Sequence, residues 1–91
     1  MLIPVSYYNG NLVLDGMYQV ESVDIITLEM SKRPVPVFAQ GRECGTATNK
    51  GRLIHFEVDG FKVVAPSKYL IPLLTNEIGS INCQVMPDGV N

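Results

Sequence analysis

Few residues in this chain have chemical reach. There are two cysteines, Cys44 and Cys83, one histidine, His55, and seven lysines and arginines, three of which fall within residues 42–52. A cysteine–histidine nucleophile needs the thiol and imidazole within hydrogen-bond reach and a third group to orient the base. Nothing in the spacing brings that about. Cys44 reads as an inert thiol and His55 as a half-exposed strand histidine. Metal binding is equally unsupported, because positions 44, 55 and 83 show neither Cys-x-x-Cys nor His-x-x-x-His spacing. The chain is therefore read as a non-enzyme, with no metal and no cofactor expected.

Binding is the better prospect, and three segments offer it. Residues 41–52 read as a loop, the longest stretch without apolar periodicity, and long loops in compact domains are often functional. Glycines let the backbone approach a ligand, Thr46, Thr48 and Asn49 offer hydrogen bonds, and Arg42, Lys50 and Arg52 offer positive charge. Together they suit a small anionic ligand or nucleotide, although the Gly-Lys-Ser/Thr ending of a Walker A loop is missing. The plain alternative is a solvated connector between strands. Tyr7, Tyr8, Tyr18 and Tyr69 supply rings on which bases stack, as in an oligonucleotide-binding barrel. A net charge of −2 argues against nucleic acid as the partner, since that affinity comes mainly from cations neutralising phosphates. Tyrosine is also an ordinary strand residue that packs its ring and keeps its hydroxyl wet. The third segment, Tyr69, Leu70, Ile71, Leu73 and Leu74, must seal part of the core, and where exposed it forms a protein interface.

The elements that hold these residues are mainly strands. Asp59-Gly60 is a type I′ turn signal. A two-residue loop there sets Val58 opposite Phe61, Phe56 opposite Val63 and Ile54 opposite Ala65, all apolar and on one face. Glu57 then faces Lys62 on the other side. Asn9-Gly10 repeats the signal, with Tyr7 opposite Leu12 and Val5 opposite Leu14. Asp15-Gly16 turns the chain again. Pro4, and later Pro34 and Pro36, place their strands at an edge or pairing on one side only. Residues 17–30 are read as a strand with a bulge near Ser22–Asp24, and the rival is a short helix capped by Ser22 or Asp24. Ser67 caps one tight helical turn near 67–74, which Pro72 interrupts. Residues 81–86 alternate as a last strand, and 87–89 form a turn or frayed tail. No internal repeat is visible.

The string Ala65-Pro66-Ser67-Lys68-Tyr69-Leu70 resembles the single 3₁₀ turn that leads into the last strand of SH3 domains. That resemblance covers six residues and implies an SH3-like barrel. The chain has no tryptophan and no long acidic loop, so the proline-peptide groove of that family is not carried over.

Composition bounds the rest. Ninety-one residues make one compact domain, 1–91. Charged residues are 18% of the chain, against average usage of about 25%. Apolar surface hidden between copies would account for the difference, so a homo-oligomer is expected. The first residues lack a basic region and a long apolar run, and no stretch approaches a bilayer span, so no membrane association is expected. The protein is read as cytoplasmic with both thiols reduced, a single disulfide being the alternative if a leader has been trimmed.

The expectation is a mostly β protein, a small antiparallel barrel or sandwich of five to seven short strands on the scale of SH3 or OB domains. It is expected to be a non-catalytic module working through a protein–protein interface, as an inhibitor, regulatory accessory or structural adaptor. Proteins of phages and mobile elements share this profile, by analogy of size alone.

Overall fold

The computed structural model describes residues 1–76 and 78–87. Among them the chain forms β1 (Leu2–Tyr8), β2 (Asn11–Leu14), β3 (Tyr18–Val20), α1 (Ser22–Met30), β4 (Val35–Ala39), β5 (Arg42–Asn49), β6 (Leu53–Val58), β7 (Phe61–Pro66), α2 (Ser67–Thr75) and β8 (Ile78–Pro87). Each strand pairs antiparallel with the next, and β8 returns to β1, closing a barrel of eight strands. The expected antiparallel barrel is present, with eight strands and two helices where five to seven strands and one helical turn were expected.

Both hairpins read from the sequence have the expected register. Val58 faces Phe61, Phe56 faces Val63 and Ile54 faces Ala65, while Tyr7 faces Leu12 and Val5 faces Leu14. Asp59 and Gly60 take φ of 44° and 81°, and Asn9 and Gly10 take 51° and 80°, as a type I′ turn requires. Lys62 Nζ lies 3.4 Å from a Glu57 carboxylate oxygen. That exposed pair adds little stability.

Four expectations are corrected. Residues 22–30 are a helix. Its buried side chains, Ile25 and Leu28, are three apart, and the slips of apolar phase are those of a 3.6-residue period, not of a bulge. Neither Ser22 nor Asp24 is the cap. Glu21 occupies that position without a side-chain bond, and the Ile25 amide donates to the Glu21 carbonyl at 2.9 Å. Residues 42–49 are a strand, not a loop. Gln40 and Gly41 (φ 54° and 79°) form another tight turn, and β5 pairs with both β4 and β6. The segment looked loop-like because its inward positions are small. Ala47 is opposite Phe56 and Gly45 opposite Val58, and Phe56 is the largest fully buried side chain. A Cβ on Gly45 would lie 1.9 Å from the Glu57 carbonyl oxygen.

The third correction concerns the prolines. β1 is not an edge, since it pairs with β2 and β8. Pro4 lies just past the last β2 residue in register, where its carbonyl accepts from the Asp15 amide at 2.8 Å. β4 does pair mainly on one side, meeting β3 only at Phe38, opposite Gln19. Fourth, α2 is a nine-residue α-helix containing Pro72, not the single 3₁₀ turn of the SH3 resemblance. Residues 88–89 of the expected tail lie outside the described residues.

The strand directions put three tight turns (15–16, 40–41, 59–60) at one end of the barrel. The Asn9-Gly10 turn, the 50–52 connection and both helices lie at the other, the helix end. The order βββαβ occurs twice, in residues 2–39 and 42–87, a repeat the sequence did not reveal. Each unit has an Asp-Gly turn before its third strand and a serine as the first helical residue. In each, side chains three and six positions after that serine are buried: Ile25 and Leu28, then Leu70 and Leu73. In each, the serine meets the glycine of the first turn. A Cβ on Gly10 would lie 3.1 Å from Ser22 Cβ, and the Ser67 hydroxyl donates to the Gly51 carbonyl.

Gly45→Ala is expected to destabilise the protein by about 1–3 kcal/mol, because backbone must move to admit one methyl group. Phe56→Ala should cost about 3–5 kcal/mol through the cavity it leaves. Urea unfolding of both variants checks this; a Gly45→Ala midpoint equal to wild type would contradict the close approach of β5 to β6.

Candidate functional site

The closed barrel is filled. Ile3, Val5, Leu12, Leu14, Val20, Val37, Ile54, Phe56, Val58 and Val63 occupy its interior, and among the described residues no buried polar side chain interrupts them, as an eight-stranded barrel of this width allows. Binding surfaces must be sought on the outer wall and at the two ends.

The cationic segment divides. Arg42 starts β5 at the turn end and Asn49 finishes it at the helix end, about 23 Å apart for seven strand steps. Thr46 and Thr48 lie between them, partly exposed on the outer wall. Asn49 uses its Oδ1 to accept from the Gly51 amide at 3.0 Å, an Asx turn. The Ser67 amide donates to the Arg52 carbonyl at 2.9 Å. This contact brings Lys68 beside Arg52, and the two line a cleft of about 480 Å³ with Gly51, Pro66 and Ser67. Arg52 is thus joined by Lys68, which the sequence did not indicate, while neither Lys50 nor Arg42 lines the cleft.

The apolar segment divides too. Leu70, Leu73 and Leu74 are buried in the protein's own core, which removes them from any surface interface. Ile71 is partly buried, and Tyr69 is exposed. Tyr69 stands beside a groove of about 430 Å³ on the outer wall of β7, β8 and β1, lined also by Leu2, Val64, Pro66, Ile81, Asn82, Cys83, Gln84 and Met86. Register explains the grouping. Leu2 and Val64 both face Gln84 from opposite sides, so they sit on one outward row across three strands. Leu2 was missed as an interface residue because only barrel closure brings it next to β8.

The tyrosines share no platform. Tyr18 is buried at the turn end, where its hydroxyl donates to Asp59 Oδ2 at 3.1 Å and its ring meets Phe61 edge-on at 5.5 Å. Burial, then Asp59, raises the Tyr18 pKa. Tyr8 and Tyr69 are exposed on separate elements, and Tyr7 lines a cleft at the helix end with Asn9, Gly10, Leu74, Thr75 and Asn76.

Cys44 is the extra residue of a β-bulge, since Val37 faces Gly45 while Phe38 faces Glu43. Its thiol donates to the Val37 carbonyl at 3.3 Å. His55 faces Thr48, four strand positions from Cys44 and so about 13 Å along the sheet. Cys44 and His55 are not brought together. Burial lowers the His55 pKa, with Lys50 and Lys62 adding to the effect. Cys83 is buried in β8, and both cysteines are free thiols. Among the described residues no three His, Cys, Asp or Glu side chains converge as a metal site. Among them, no helix is long and apolar enough to cross a membrane.

Comparison finds no relative. No protein-family model, no curated protein and no solved structure matches the chain. The site must therefore be read from its own geometry.

Burial pushes the Cys83 thiol up to about 11. Burial and Asp59 raise that of Cys44. Each is an acid held neutral in the fold, so its contribution is whole below the unfolded thiol value, about 8.5, and is lost as pH rises toward the folded value. Urea midpoints are expected to hold between pH 7 and 8 and to fall above pH 9, less steeply in Cys83→Ala. A midpoint that rises over that range would contradict the burial of Cys83.

Proposed function

We propose that this protein is a non-catalytic binding module that engages a protein partner through the groove on the outer wall of β7, β8 and β1. One observation carries the reading. A contiguous wall surface is apolar where solvent should favour charge, and Leu2 and Tyr69 at its margin keep 61% and 56% of their surface exposed. Patches of this kind mark sites of association. Tyrosine is an apt anchor at such a place, giving a large apolar ring and a polar tip at low entropic cost. Inhibitor, regulatory accessory and structural adaptor are roles open to such a module. A cytoplasmic location and a viral or mobile-element source remain the expectation drawn from the sequence.

Selection from a random-peptide display library tests it. The wild-type protein is expected to enrich a common apolar sequence pattern. Leu2→Glu with Tyr69→Glu should abolish that binding while leaving the melting temperature within a few degrees, because both side chains are exposed. Absence of enrichment, or binding indifferent to the two changes, counts against the groove.

The cleft at the helix end supports a second reading, a small anionic ligand. Arg52 and Lys68 line it, neither has a carboxylate within ion-pair distance among the described residues, and the first-turn amides of α2 lack intrahelical partners. Titration with inorganic phosphate should move the amide resonances of Lys68 and Tyr69, and Arg52→Ala should weaken the response about tenfold. Shifts scattered over the whole surface would retire this reading.

A further inference from the structure

The apolar groove on β7, β8 and β1 and the basic cleft at the start of α2 abut at Pro66, which lines both. Pro66 is the last residue of β7, and the chain enters α2 at Ser67. Lys68 and Tyr69 then occupy successive helix positions, the first lining the cleft and the second the groove. The Lys68 ammonium lies 5.0 Å from the centre of the Tyr69 ring, within cation–π range. An occupant that leaves the groove over Pro66 therefore reaches Arg52 and Lys68.

The two parts differ in charge, and that difference selects the occupant. Among the described residues, none that lines the groove is charged at neutral pH, whereas the cleft brings in Arg52 and Lys68 and no carboxylate. A molecule that fits both is apolar along its body and anionic at one end. The wall also has a length and a stop. Met86 faces Lys62, so from Met86 to Pro66 the groove runs four strand steps, about 13 Å, the reach of about four extended residues. Beyond Pro66 the wall ends, because the chain leaves it for α2. Asn82 and Gln84 stand exposed on the same outward row of β8, and their amides both donate and accept hydrogen bonds. A peptide backbone uses such partners, while a hydrocarbon tail would only bury them at a cost.

We infer that groove and cleft are one site, which takes the free C-terminus of a protein partner. The partner's last three or four residues, apolar and uncharged, lie extended along the wall from Met86 toward Pro66. The terminal carboxylate sits between the Arg52 guanidinium and the Lys68 ammonium, where charge-assisted hydrogen bonds are strong. A chain end suits this place because the occupant stops where the wall stops. A carboxylate side chain within a longer segment would need the chain to continue past α2. This inference rests on the groove being a protein-binding surface and adds which part of the partner it holds.

Two random-peptide libraries provide the test, one displayed with free C-termini and one with free N-termini. The full chain is expected to enrich only the first, with apolar residues in the last three or four positions. The enriched peptide, synthesised as the free acid and as the C-terminal amide, should bind at least about tenfold more tightly as the acid. Arg52→Ala with Lys68→Ala should remove that difference by weakening the acid alone. Arg42→Ala, at the opposite end of the barrel, should leave it intact. Tyr69→Glu should weaken both forms. Equal enrichment of the two libraries, or equal affinity of acid and amide, overturns the inference and leaves the groove as a protein-binding surface. So does an acid preference that survives loss of Arg52 and Lys68. Enrichment from neither library removes the groove reading as well.

Discussion

The pairing of β1 with β8 is the contact on which the structure depends. Seven consecutive residues, Leu2 to Tyr8, find partners from Gln84 back to Ile78. This joins the first and last strands and removes the open edges that a meander of eight strands would leave. It also encloses the inward row of every strand. Without it, Ile3, Val5 and Cys83 would lie on a sheet margin in water, and the core would lose one side. Closure costs the entropy of joining distant segments, which grows only slowly with loop length. The apolar area enclosed offsets it.

A barrel closed this way has little to offer chemically inside. Its bore is occupied by Phe56 and the aliphatic side chains around it, with Ala47 and Gly45 leaving the room Phe56 and the β5–β6 approach require. Volume is conserved across facing positions, as in any well-packed core. The interesting variation is therefore outward. The two helices close the same end, yet one presents Lys68 and Thr75 to solvent and the other Val23 and Met30. The wall of β7, β8 and β1 collects Leu2, Val64 and Met86, whereas that of β5 and β6 carries threonines, His55 and Glu57. The fold repeats and the outer surface does not.

The strongest readings from sequence were those in which several short-range effects agree. Asp59-Gly60 and Asn9-Gly10 prescribe turn geometry, and the alternation beside each prescribes a face; every register inferred from them is present. Where local effects conflict, tertiary packing decided. The β-branched run Val23, Ile25, Ile26 and Thr27 favours strand on propensity, but Ile25 and Leu28 both reach the core only on a helix. β5 has almost no large apolar side chain, so its period of two was invisible, and its identity rests on partners that β4 and β6 supply. The segment holding Leu70, Leu73 and Leu74 was legible as apolar and partly core-sealing, but not which of its side chains turn inward.

By itself, then, the amino-acid order determined the tight turns at 9–10, 15–16 and 59–60, two hairpins with their registers, the inward face of each and the absence of paired catalytic or metal-ligating spacings. Those depend on neighbours a few residues apart. Only the tertiary structure decided that the sheet closes, that α1 is helical, that Lys68 joins Arg52 and that Leu2 joins Val64. Each of these rests on residues far apart in the chain whose contact is set by packing and strand closure, and no local preference encodes that.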